Sequence, residues 1–290
     1  MVFPITGLGY MEHFFKAMEA AGLTDVGRRR SRNEDAFGIF EDAGLLIVAD
    51  GMGGHAAGAL ASRMAIEGIS KHLTAHRNAL RIPDGERIVV GIGASDTLET
   101  GIGDERDLNG NAGGVSNVKQ VIQSAVSAAN REINDLNRVR HYPNGAGMGS
   151  TVIGLCLLAD QCHVAIFHIG DSRLYRLRDG ILTLLTRDHT AYQLWLDGGC
   201  KGSKPTKNII TRALGPSRDI AVEIRLEFLM PNDIFLLCSD GLNGMVDDQT
   251  IHRVLGENQK SLETTCRKLV TLANDNGGVD NVTVILARCH

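Results

Sequence analysis

The sequence contains no apolar stretch approaching the ~18 residues that a bilayer-spanning helix needs, and its opening residues lack the basic start and long apolar run of a secretory signal. Neither a membrane span nor export is expected, and the cytoplasm is the default compartment. An excess of one charge is also missing: 30 Lys and Arg against 34 Asp and Glu leave a formal net charge of −4. Nucleic acid and anionic membranes call for clustered basic surface, so neither is an expected partner. The one dense basic run is Arg28-Arg29-Arg30-Ser31-Arg32. Cysteine is sparse and dispersed. The six stand singly, three of them (Cys156, Cys162 and Cys238) in apolar strand-like runs, and they read as reduced core residues. No internal repeat is visible.

What is present is apolar material, 43% of 290 residues, enough to bury one large core or two small ones. Tyr10–Ala21 ("YMEHFFKAMEAA") has the composition of a helix, so residues 1–22 are expected to be a helical N-terminal extension and 23–290 a single domain. "LLIVAD" is a short apolar run bounded by glycines, hence a buried strand, and "AAGALASRMAIEGISKHL" after it has helical spacing. From about 76 to 116 the composition shifts to Gly, Asp, Asn and Arg, as in a surface insertion that serves as a docking surface or a mobile loop. "VKQVIQSAVSAANREINDLN" returns to helical spacing. "STVIGLCLLA", "CHVAIFHIG", "SRLYRLRDG" and "ILTLLT" then read as an antiparallel meander. A strand pair follows at "IAVEIRLEF" and "DIFLLCSDG", then helical "LETTCRKLVTLANDNG" and a last strand "VTVILAR". This order predicts an α+β fold with two packed sheets and helices outside.

Acidic residues recur at the ends of those strands: Glu34 and Asp35 before "AFGIF", Asp50 after "LLIVA", Asp171 after "HVAIFHIG", Asp240 after "DIFLLCS" and Asp280 before "VTVILAR". One such Asp is an ordinary turn cap. Acids at five apolar strand ends point to a shared counter-charge, because a carboxylate at the core must recover its lost hydration. Oxygen donors without a nearby His₃ or Cys₄ set favour Mg²⁺ or Mn²⁺ over Zn²⁺.

The motifs "RSRNEDAF", "VADGMGGHAAG", "GMGSTV", "HIGDSRLYRLRDG", "LTRDHT", "NIITRALG", "DIFLLCSDGL" and "DNVTVIL" stand in the order found in the metal-dependent serine/threonine phosphatases. The chain resembles that family (type 2C, or PPM) from about residue 23 to 288, with wording closest to its bacterial members. The resemblance implies a β-sandwich of two antiparallel sheets flanked by helices on both sides, with two Mn²⁺ or Mg²⁺ ions at one edge. It makes Asp50 the carboxylate bridging both ions and the Gly51 carbonyl a ligand to one. Glu34 and Asp35 lie on the same edge, Glu34 acting mostly through water, and Asp240 and Asp280 complete the shell of the other ion. Asp171 matches a residue that helps hold a third, weaker metal in many bacterial members. Arg30 would hold the substrate phosphate through its planar fork.

The implied reaction is hydrolysis of phosphoserine and phosphothreonine in proteins by a hydroxide bridging the two ions, with no covalent enzyme nucleophile. It would oppose a serine/threonine kinase of the same cell, and nothing in the chain demands more than a monomer. His55 is either the general acid for the leaving alkoxide or a loop histidine that only hydrogen-bonds, since "MGG" separates it from the "DG" that many family members follow directly with histidine. His163, His168 and His189 read as structural. The flap, "AYQLWLDGGCKGSKPTK" at 191–207, is shorter than bacterial members usually carry.

Other classes fit less well. "GDSR" resembles an esterase nucleophile motif with Ser172, but it lies between antiparallel strands instead of opening parallel βα units. "GMGG" lacks the spacing of a dinucleotide fingerprint and the ending of a P-loop. Asn281-Val282-Thr283 is formally a glycosylation site but adjoins an expected metal ligand. The alternative is a binding module that has kept the fold without the activity. Such a chain would normally have lost metal carboxylates, whereas Asp50, Asp240 and Asp280 are all present.

Overall fold

The computed structural model describes residues 9–14, 17–40, 42–54, 56–82, 113–142, 147–257 and 261–290. Two six-stranded sheets are packed face to face. The first runs, in spatial order, β1 (Gly9–Phe14), β2 (Met18–Asp25), β12 (Val282–Cys289), β11 (Ile234–Cys238), β8 (Arg173–Arg178) and β9 (Ile181–Leu184). The second runs β10 (Glu223–Phe228), β7 (His163–Ile169), β6 (Val152–Leu157), β4 (Leu45–Met52) and β3 (Asp35–Phe40), with the short β5 (Gly149–Ser150) beside the end of β4. Every described pairing is antiparallel.

Helices α1 (Ala56–Ala75) and α2 (Gly114–Val139) cover the outer face of the second sheet. The first sheet is covered by α4 (Asp240–Asn243), α5 (Asp248–Gly256) and α6 (Leu262–Asp275). A short α3 (Ala191–Asp197) lies in the flap, its start capped by the Thr190 hydroxyl accepting from the Gln193 N–H. The expected helix–sheet–sheet–helix sandwich is the observed one. None of the described helices is long and apolar enough to cross a membrane.

Packing explains why the central strands read as unbroken apolar runs. In β4, Leu45, Ile47 and Ala49 face α1 and α2, while Leu46 and Val48 face the opposite sheet. In β12, Val282, Val284 and Leu286 face α6, while Ile285, Ala287 and Cys289 enter the space between the sheets. A strand buried on both faces has no polar side, so its period-2 signal vanishes.

Four expectations are corrected. The helix over residues 10–21 does not form: β1 and β2 occupy that stretch, and β2 pairs along its whole length with β12. Met, Glu, Ala and Lys favour helix, but β2 buries Met18 and Ala20 between the sheets and Ala21 against the helices, and that packing overrides propensity. A boundary at 22/23 would therefore cut through a strand of the sandwich. The four-strand meander also breaks, because β6–β7 lie in one sheet and β8–β9 in the other; the chain crosses at Gly170–Ser172. Likewise β10 and β11 belong to different sheets and do not pair. Finally, Cys156, Cys238, Cys266 and Cys289 are buried free thiols, but Cys162, in the β6–β7 turn, and Cys200, in the flap, are exposed. Most of the proposed 76–116 insertion, residues 83–112, lies outside the described residues.

Candidate metal centre

The strand ends of both sheets deliver carboxylates to one edge of the sandwich. Asp35 opens β3 and lies directly opposite Asp50 on β4. Asp171 sits in the crossing between β7 and β8, Asp240 begins α4 just beyond β11, and Asp280 precedes β12. Asp35, Asp171, Asp240 and Asp280 all act electrostatically on Asp50, so these five residues, far apart in sequence, form one cluster.

Loss of hydration, reinforced by like charges, perturbs the cluster. Burial and the neighbouring Asp35, Asp240, Asp171 and Asp280 hold the Asp50 carboxyl well above its usual range. Burial pushes Asp35 up to about 7, opposed by hydroxyl donors from Thr283 and Ser239. Asp171 is likewise pushed up to about 7 by burial and then by Asp240 and Asp188. Asp240 is raised by burial and then by Asp280. One oxygen each of Asp35, Asp171 and Asp240 is buried with no hydrogen-bond partner. Native interiors rarely leave such groups unpaired.

The cations nearby do not meet that demand. Arg30, its side chain 53% exposed, reaches the rim, where its Nη2 donates to Asp280 Oδ2 at 2.7 Å. Arg173, beside Asp171, is committed to a two-bond pair with Asp188 at 2.9 and 2.7 Å. A cluster of converging, underpaired oxygen donors fits hard divalent cations.

The surrounding chain holds the carboxylates in place. Ser239 Oγ and Thr283 Oγ1 both donate to Asp35 Oδ2 at 2.7 Å. The Asp50 N–H donates to Thr151 Oγ1 at 3.0 Å, and the Asp50 carbonyl accepts from the Thr151 N–H at 2.9 Å. Glu34 is half-buried. Its N–H donates to Asn281 Oδ1, and its carbonyl accepts from the Gly51 N–H and from Ser62 Oγ. Asn281 spends its amide on the Val26 and Arg32 carbonyls, which ties down the loop carrying Arg30 and removes it as a glycosylation acceptor. Thr151, Ser239 and Thr283 are not among the site residues expected from the sequence. The only available signal was that each sits inside a motif already singled out: "GMGSTV", "CSDG" and "DNVTV".

The glycines around Asp50 have specific causes. A side chain at Gly51 would come within 2.1 Å of the Gly58 carbonyl oxygen and 2.6 Å of that of Glu34, so helix α1 itself demands glycine there. Gly53 and Gly54 take φ of +124° and +80°, the left-handed region that turns the chain from β4 into α1. His55 lies outside the described residues.

The chain is similar to known proteins over nearly its whole length. Residues 26–274 match the family model for protein phosphatase 2C. The serine/threonine phosphatase stp of Listeria welshimeri is 33% identical over 277 residues, covering 93% of this chain and 95% of that protein. The serine/threonine protein phosphatase PstP of Mycobacterium tuberculosis is 32% identical over 272 residues, covering 92% of this chain and 44% of that one. Among solved structures, the catalytic domain of PstP in complex with two manganese ions superposes with a TM-score of 0.69 at 31% identity, covering 94% of this chain and 98% of that one.

Proposed function

Because the chain belongs to the protein phosphatase 2C family and is a metal-dependent protein-serine/threonine phosphatase, we propose that its acidic edge is the catalytic metal centre. The observation that carries this assignment is the set of buried, unpartnered oxygens on Asp35, Asp171 and Asp240 around Asp50. Asp50 would bridge two ions, with Glu34, the Gly51 carbonyl, Asp240 and Asp280 in their shells. Asp35, gripped on one oxygen by two hydroxyls, keeps the other for the cluster. Mn²⁺ and Mg²⁺ both suit these donors, and Asp171 would hold a third, weaker ion. When bound, two such ions supply a water nucleophile deprotonated near neutral pH and neutralise charge on the phosphoryl oxygens.

The chain's own residues do the rest. Arg30 stands on the rim with donor N–H groups left over after its bond to Asp280, and these would orient the phosphate. Asn281 and Thr151 fix the backbone at Glu34 and Asp50, so the carboxylates need not reorganise during turnover. His55 would serve as the general acid for the leaving alkoxide, the alternative being a loop histidine that only hydrogen-bonds. The substrates would be phosphoproteins made by a serine/threonine kinase of the same cytoplasm, met by a monomer.

The test is hydrolysis of a phosphothreonine peptide with and without Mn²⁺, beside an Asp50→Ala variant of matched folding. Metal-dependent turnover by the wild type that the variant lacks supports the assignment. Equal turnover by both would sink it. No turnover by a wild type that binds Mn²⁺ would favour the binding-module alternative.

A further inference from the structure

His168, His189 and Glu223 converge on the second sheet, beyond the acidic cluster. The set resembles a two-histidine, one-carboxylate metal site, but three observations turn that reading away. The Gly170 N–H donates to His189 Nδ1 at 3.1 Å, so the proton of the neutral ring is on Nε2, the atom that faces Glu223 Oε1 at 2.8 Å. The rings of His168 and His189 are stacked, with centroids 4.8 Å apart and planes tilted by 29°, whereas an ion bound to both must lie near both ring planes. Arg212 already supplies Glu223 with a cation at 3.3 Å.

What the pair does contact is the turn carrying Asp171. Both backbone polar groups of Gly170 are bound by His189: its N–H by Nδ1, and its carbonyl by the His189 N–H at 2.7 Å. Gly170 has φ +108°, and a Cβ there would lie 2.6 Å from Thr151, so the turn is pressed onto the residue that holds the Asp50 backbone. Ser172, on the other side of Asp171, shares a 2.7 Å hydrogen bond with Thr151 Oγ1. Asp171 is thus fixed from both sides, by His189 through Gly170 and by Thr151 through Ser172. His168, buried and with its pKa lowered to about 3 by burial and then by His189, backs His189 as a neutral ring.

We infer that His189, oriented by Glu223, is a positioning residue that aims the Asp171 carboxylate into the metal cluster through the Gly170 peptide. The inference rests on reading Asp171 as the ligand of the weaker metal. Outer residues that orient a ligand typically change metal affinity by about ten- to a hundred-fold when removed. The same acceptor can be supplied by asparagine, whose side-chain oxygen reaches about where Nδ1 stands.

The experiment is a Mn²⁺ binding isotherm, read as free Mn²⁺ by electron paramagnetic resonance, on wild type, Asp171→Asn, His189→Phe and His189→Asn, with kcat and KM on a phosphothreonine peptide. Asp171→Asn is expected to lose the weakest Mn²⁺ site. His189→Phe should weaken that same site about ten-fold or more and lower kcat with little change in KM, and His189→Asn should restore most of both. A weak site lost in Asp171→Asn but unchanged in His189→Phe overturns the positioning role and leaves the Asp171 reading standing. A weak site that survives Asp171→Asn overturns both. Should His189→Phe not fold, Glu223→Ala, at a half-exposed position, carries the same test: several-fold weakening is expected, and none overturns the inference.

Discussion

Strand β11 has a carboxyl near each end, Asp233 fully buried just before its first residue and Asp240 half-buried shortly after its last, and the protein treats them in opposite ways. Asp233 is fully buried and completely paired: Arg178 Nε donates to one oxygen at 2.7 Å, while Arg178 Nη2 and the Met230 N–H share the other. Nearby Glu227 is gripped by both Arg176 and Arg225. Asp240 instead faces other carboxylates and keeps a buried oxygen with no partner. Removing a carboxylate from water is costly at either end. At one end permanent guanidinium groups offset it, which makes a structural joint. At the other, on the proposed assignment, the compensation would come from an exchangeable cation, which would make it a site.

The comparison can be broken most forcefully at Asp240. Asp240→Asn keeps the shape and deletes the charge, so metal-dependent peptide hydrolysis should fall by roughly a thousand-fold, ~4 kcal/mol of transition-state stabilisation. The metal-free variant should nevertheless melt no lower than metal-free wild type at pH 8, since a repelled charge has been removed. A lower melting temperature would mean that Asp240 is a structural acid like Asp233. At the other end Arg178→Ala strands Asp233 and should cost about 3 kcal/mol or more in denaturant unfolding. Its kcat per folded, metal-loaded molecule should stay at the wild-type value, and a loss of kcat would show that the two ends are not independent.

pH sharpens the contrast. Asp35 and Asp171 have higher pKa values folded, about 7, than the ordinary 3.8, so between those values the native state binds more protons than the unfolded one. Their contribution to stability is fully present below about pH 4 and is lost as pH rises through about 7. Metal-free protein should therefore melt lower at pH 7.5 than at pH 5.5, by at least the ~2–4 °C that about 1 kcal/mol produces in a domain of this size, and saturating Mn²⁺ should reverse the trend. A metal-free melting temperature that climbs over this range would contradict the unpaired-acid description. The smallest effect is expected for Thr283→Val, which removes one of two hydroxyl donors to Asp35 and should cost about 1 kcal/mol in unfolding, with measurable turnover retained.

Much of this was legible in one dimension because both the cluster and the core leave local marks. Asp50 follows "LLIVA" and Asp240 follows "FLLCS", and an acid that caps an apolar run is visible without knowing where the run goes. Other features left no such mark. The stretch "YMEHFFKAMEAA" carries helix-forming residues and becomes β1 and β2, because β12 offers a partner for every residue of β2. "HVAIFHIGDSRLYRL" reads as one hairpin, yet the chain changes sheets at Gly170, and nothing local distinguishes a tight hairpin from a crossing between two stacked sheets. His189 was legible only as a residue of the motif "DHT", since its partners Gly170 and Glu223 are distant in the chain.

By itself the sequence determined the chemistry: which strands end in carboxylates, that the donors are oxygen, and that the motifs follow the order of a phosphatase family. Those are properties of residue type and order, and they survive without coordinates. Only the tertiary structure decided which strands share a sheet, that Asp35 faces Asp50, that three acid oxygens are left without partners while Asp233 is not, and that His189 grips Gly170. Pairing and burial depend on contacts between residues far apart in the chain, and long-range packing settles them after local preference has been satisfied or overruled.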